Sequence, residues 1–167
     1  MDEIVNRVAT SSLSVFDLED YYQEGRRAQI DISNWLHEGF VLREKDFREQ
    51  LKNFDWSVYS DAYVAIYCST DAVLPAWAQI LVATHVLPFA KKVVTGSLEN
   101  LEQLLYEDVL KTIDFEIFRD KPVILKGCSK KPVPDSAYVT AMQYLQPVAK
   151  SVMYGEACSA VPLYKRR

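Results

Sequence analysis

Glycine and histidine are scarce in this sequence, at 5 and 2 of 167 residues. It contains no phosphate-cradling loop, no G-x-G-x-x-G fingerprint and no G-x-S-x-G elbow. A nucleotide enzyme or a hydrolase of that kind is therefore disfavoured. Positive charge is also short. Nineteen Lys and Arg stand against 23 Asp and Glu, giving a net charge of −4 and a pI near 5.2. A nucleic-acid binder concentrates basic surface, so that class is excluded, and Lys165-Arg166-Arg167 is too short to reverse the balance and reads as a solvated tail. No apolar run reaches membrane-spanning length, and Met1-Asp2-Glu3-Ile4-Val5 lacks the basic region and apolar stretch of a secretory signal. The expectation is a cytoplasmic protein with reduced cysteines and no membrane partner. No Gly, Pro or Ser tract marks a linker, and no C-x-x-C pair marks a zinc ribbon.

What is present is an alternation of strands and helices from Tyr63 onward. Tyr63–Cys68, Lys92–Thr95, Pro122–Lys126 and Ser151–Tyr154 read as strands. Pro75 to Ala90, Ser97 to about Ile113 and Ser136 to about Leu145 read as helices, with Ser97 and Asp135 as caps. Such alternation predicts a parallel sheet with right-handed crossovers. Before it, Ala28–Ile32 alternates like a strand, Phe40-Val41-Leu42 is a candidate to pair with it, and Glu44 to Phe54 is an amphipathic helix. The acidic aromatic stretch from Phe16 to Tyr22 reads as a solvated turn with buried rings, the other reading being a partner surface.

A repeat runs through the second half. Pro88–Gly96 and Pro147–Gly155 both spell P-x-A-K-x-V-x-x-G, 59 residues apart, and Cys68-Ser69 recurs as Cys128-Ser129 at an offset of 60. The predicted fold is α/β and three-layered. Its mostly parallel sheet is built from two duplicated β-α-β units in the order 2-1-3-4, with an N-terminal α+β extension on the sheet edge. The whole chain is one domain: an extension over 1–60, a first unit over 61–96, a connecting helix over 97–120 and a second unit with the C-terminal segment over 121–167. In that order Tyr63–Cys68 and Pro122–Lys126 are neighbours. Their helices leave on opposite faces and open a crevice flanked by Cys68 and Cys128. Cys158, just past the strand Ser151–Tyr154, is the third thiol at the same edge.

All three cysteines, an odd number, are followed by serine, and a Val and a Pro follow each pair. Three chemistries fit. Thiolates of Cys68, Cys128 and Cys158 can hold iron or zinc, with a fourth position left to water, to a carboxylate such as Asp71 or to a partner. Ser69, Ser129 and Ser159 are accessory candidates. Alternatively Cys68 or Cys128 is the nucleophile of a thiol-dependent transfer or redox enzyme. Last, cysteine is a small residue that packs well at buried strand ends. The histidines carry less: His85 sits about 15 Å along its helix from the proposed edge, and His37 lies in the least regular segment.

The segments Phe16–Tyr22, Glu44–Arg48, Gly127–Pro134 and Met153–Arg166 resemble a bacterial family, domain of unknown function 2480, over nearly the whole chain. The resemblance implies a link to iron–sulfur cluster assembly, because genes of that family lie near those for sulfur mobilisation, and it brings no site residues. Together these readings predict a cytosolic metal-binding accessory protein with a three-cysteine site, working with iron–sulfur assembly proteins. A thiol enzyme and a non-catalytic interaction module are the alternatives.

Overall fold

The computed structural model describes residues 13–127, 130–156 and 158–167. Among these, seven short runs form strands: β1 Ser14–Asp17, β2 Arg27–Asp31, β3 Tyr63–Tyr67, β4 Lys92–Thr95, β5 Pro122–Lys126, β6 Ser151–Tyr154 and β7 Val161–Lys165. Four helices accompany them: α1 Glu44–Asn53, α2 Ala76–Val86, α3 Leu98–Leu110 and α4 Asp135–Leu145. Three of the four helix starts have a local cause in proline or a side-chain cap, whereas Arg43 before α1 makes no such cap. Pro75 and Pro134 precede α2 and α4 in extended conformation, with φ near −65° and −69° that proline fixes. Ser97 caps α3: its hydroxyl accepts from the Asn100 amide at 3.1 Å while the Asn100 side chain accepts from the Ser97 amide at 2.9 Å. Asp135 is the first residue of α4, not its cap.

Four aspartates share one local design. Asp17, Asp31, Asp55 and Asp114 each precede a four-residue 3-10 turn and accept a hydrogen bond from the amide two residues on, at 3.0 to 3.1 Å. After each comes a buried apolar residue (Leu18, Ile32, Trp56 or Phe115), and the turn closes on an aromatic (Tyr21, Trp35, Tyr59 or Phe118). The carboxylate satisfies the turn's leading amide, and the apolar residues fasten the turn to a core.

The chain divides into two compact units. One is Glu24–Leu104; the other combines Met1–Gln23 with Leu105–Arg167. In Glu24–Leu104 the strands run in the order β2-β3-β4, all parallel, with Ile30 opposite Ile66 and Ala65 opposite Val94. Phe47 and Leu51 of α1 and Ala78, Val82 and Val86 of α2 pack with Ile30, Val64 and Ile66 in one core, so both helices cover the same sheet face. In the other unit the order is β1-β5-β6-β7, parallel except for the antiparallel β6–β7 pair. Phe16, Val123, Leu125 and Val152 form its core with Tyr106 and Leu110 of α3 and Ala137, Ala141 and Leu145 of α4. The Tyr106 hydroxyl donates to the Leu18 carbonyl at 3.0 Å.

The mixed α/β class with parallel strands is therefore as the alternation implies, but a single sheet of order 2-1-3-4 does not form. Tyr63–Tyr67 and Pro122–Lys126 lie in different sheets, because the amino-terminal segment supplies each with its own parallel edge strand, β2 or β1. With strands added sequentially, the helices stay on one face and no reversal of order opens a crevice. Phe16 and Asp17 belong to β1, not to a solvated turn. Phe40-Val41-Leu42 does not join β2; Val41 bridges back to His37.

Elements of the two units recur at a constant offset of 59: Trp56 with Phe115, Tyr63 with Pro122, Ala76 with Asp135 and Lys92 with Ser151 open corresponding turns, strands and helices. Backbone details recur too. Asp61 and Asp120 both have φ 58°, and each donates its amide to the carbonyl of Phe89 or Val148. The register corrects the pairing of the Cys-Ser turns. At an offset of 59 Cys68 corresponds to Gly127, and Cys128 corresponds to Ser69.

Candidate functional site

The carboxyl ends of β2 and β3 are tied together by one side chain. Asp31 ends β2, and its Oδ1 accepts from the amides of Ser33 and Ser69, each at 3.0 Å. The Ser33 and Ser69 hydroxyls lie 3.0 Å apart. Burial pushes the Asp31 carboxyl up, but the hydrogen bonds from Ser69 and Ser33 outweigh it and leave it below the ordinary carboxylate value. Of the serines that follow the cysteines, Ser69 is thus part of this fastening, and Ser129 lies outside the described residues.

Cys68 follows β3 directly and is half-buried. Its Sγ lies 3.5 Å from Thr70 Oγ1, and that hydroxyl donates to the Gly39 carbonyl at 2.6 Å. Thr70 has a single hydroxyl proton and spends it on Gly39, so the thiol of Cys68 is the donor to Thr70. Asp71 lines a groove of about 630 Å³ between the 40–44 and 71–77 segments, together with Phe40, Val41, Val73, Pro75 and Trp77.

In the other unit, the corresponding edge is charged. Lys126 ends β5 and reaches Glu156 at 3.2 Å and Asp17 at 3.9 Å. Its hydrogen bond and attraction to Glu156, assisted by Asp17 and Glu19, raise its pKa above the ordinary lysine value. Glu19 accepts from the amides of Lys130 and Lys131 at 2.7 and 3.5 Å, which tethers the segment after β5 to the turn after β1. Cys158 is exposed, and the Ser159 amide beside it donates to the Glu156 carbonyl at 3.0 Å.

The structure therefore places Cys68 in one unit and Cys158 in the other, while Cys128 falls outside the described residues. Among the described residues no group of three His, Cys, Asp or Glu side chains is placed to hold a metal ion, and no helix is long and apolar enough to cross a membrane. The His85 ring stacks on Trp56 at 5.3 Å, and His37 closes the bridge to Val41. Sequence reasoning missed Asp31, Thr70 and Lys126, and considered Asp17 and Glu19 only as part of a partner surface. The aspartates could have been found from the spacing Asp, apolar, x, x, aromatic, which appears four times.

A family model described as "Protein of unknown function (DUF2480)" matches residues 2–166. Searches among curated proteins and solved structures returned no match.

Proposed function

The chain belongs to the DUF2480 family, and we propose that it is a metal-binding accessory protein holding iron or zinc at the carboxyl edge of its four-stranded sheet. The supporting observation is the β5–β6 pair. These strands are adjacent and parallel, with Leu125 opposite Tyr154, so the segments carrying Cys128 and Cys158 leave one sheet edge from neighbouring strands, about 4.8 Å apart. Two thiolates with an oxygen donor from Glu156 or Asp17 make a mixed soft and hard set suited to zinc or ferrous iron. Lys126 would balance the negative charge of an unloaded site. The resemblance to a family linked with sulfur mobilisation favours iron and a place beside the iron–sulfur assembly proteins of the cytoplasm. The recurrence at an offset of 59 fits a duplicated β-α-β ancestor, of which only one copy acquired a second edge cysteine.

Cys68 belongs to the other unit and is left out of this proposed set. As the nucleophile of a thiol enzyme it would gain nothing from Thr70, whose proton is committed to Gly39. Metal analysis of protein purified without oxygen, beside Cys128→Ser, Cys158→Ser, Cys68→Ser and the triple variant, tests the proposal. About one metal per chain, lost with Cys128 or Cys158 and kept without Cys68, is expected. Substoichiometric metal in every sample would end it.

A further inference from the structure

The two units treat corresponding edge strands differently. In the four-stranded sheet, β6 carries the antiparallel strand β7, with Tyr164 opposite Val152 and Lys165 opposite Ser151. One residue further, the Arg166 amide donates to the Lys150 carbonyl at 2.9 Å. The Arg166 guanidinium pairs with Asp120 and donates to the Val148 carbonyl at 2.9 Å. Asp120 is held for this by its left-handed backbone, at φ 58°, and by its own amide bond to Val148.

Every receiving part of that arrangement recurs 59 residues earlier, and among the described residues no strand occupies it. β4 corresponds to β6, Lys91 to Lys150, Phe89 to Val148 and Asp61 to Asp120. Asp61 has the same φ of 58°, its amide donates to the Phe89 carbonyl at 3.0 Å, and Lys91 bonds to Ala62 as Lys150 does to Lys121. Among the described residues β4 pairs with a strand on one side only, and the Asp61 carboxylate has no ion-pair partner among them. Burial agrees. Val152 is fully buried beneath β7, whereas its counterpart Val93 is half-buried; Val148 is 6% exposed, whereas Phe89 is 40% exposed.

We propose that the outer edge of β4 is a docking site for an extended segment of a partner protein, paired antiparallel and ending in an arginine that Asp61 and the Phe89 carbonyl receive. Main-chain hydrogen bonds to a sheet edge supply the affinity, and the alternating side chains with the terminal arginine supply the selection. The carboxylate-to-arginine match fixes the direction and register of the strand, since only the antiparallel orientation brings its end to Asp61. The chain's own Ala160–Arg167 segment shows the chemistry required: apolar and aromatic residues followed by a basic end.

A capped peptide of the Ala160–Arg167 sequence is the probe, titrated into the full chain by fluorescence anisotropy. Saturable binding of one peptide per chain is expected. Asp61→Asn should weaken it about tenfold, the loss of one charge-assisted hydrogen-bonded pair, while Asp120→Asn leaves it unchanged. Asparagine tolerates the left-handed backbone, so the Asp61 variant should keep its fold. Two modified peptides leave the protein untouched: Arg166→Ala, and N-methylation of the amide that in β7 donates to Lys150. Both should abolish binding. No binding, or binding that responds to Asp120→Asn and not to Asp61→Asn, overturns the proposal, the latter because the peptide would then be displacing β7. A dimer of the chain alone that dissociates on Asp61→Asn would overturn the choice of a foreign partner in favour of a second copy.

Discussion

Replacing Asp31 by alanine removes two backbone hydrogen bonds at once, to Ser33 and to Ser69, because one carboxylate oxygen accepts both. Loss of a capping carboxylate costs about 0.5–2 kcal/mol. The second bond adds about 1 kcal/mol at most, since Ser69 is exposed and water can replace the acceptor there. The total is about 2 kcal/mol. Asp31→Asn keeps an oxygen acceptor and should cost less than half of that. The pH dependence follows from the lowered Asp31 carboxyl. A depressed native value means that the contribution is fully present above the unfolded value of about 3.9 and is lost as pH falls through the lower native one. The gap between wild type and Asp31→Ala in urea midpoint should therefore be constant near neutrality and narrow below about pH 4. Equal midpoints at pH 7, or a gap that widens in acid, would refute the view of Asp31 as the fastener between β2 and the turn after β3.

Val152→Ala should destabilise by about 2 kcal/mol, since it opens space in a fully buried site beneath Tyr164, and Val93→Ala by about half of that; urea midpoints of the two variants compare them. Tyr106→Phe leaves the buried Leu18 carbonyl without its donor and should cost about 1–2 kcal/mol, read by thermal unfolding. Under a short pulse of iodoacetamide, followed by peptide mass analysis, exposed Cys158 should be alkylated before half-buried Cys68. The reverse order would contradict the placement of Cys68 against Thr70.

The cores explain why local structure was so legible. β4, β5 and β6 occupy the spans that their β-branched runs mark, and α2 and α4 begin just after proline. These are short-range effects: side-chain periodicity selects the element, and proline fixes the backbone where each helix begins. Sheet partnership is a long-range matter. Nothing in Tyr63–Tyr67 says that its neighbour is Arg27–Asp31 rather than Pro122–Lys126, because both candidates offer an alternating apolar face. β7 escaped notice for a related reason. Its proline is unusual in a strand interior and is tolerated here because β7 lies at the sheet edge, a fact of topology.

The three cysteines show the same division. Their number, their serine neighbours and their places after strands are sequence facts, and they single out strand ends as the positions to test. By itself the sequence determined the α/β class, the spans of β4, β5 and β6, the presence of the four helices and the 59-residue recurrence, all of which depend on neighbours along the chain. Only the tertiary structure decided that the strands divide between two sheets, that Cys68 and Cys158 belong to different units, and that, among the described residues, a further strand closes one corresponding edge and not the other. The reason is physical: partners in a sheet are chosen by which apolar faces can be buried together, and that competition is settled between segments far apart in sequence.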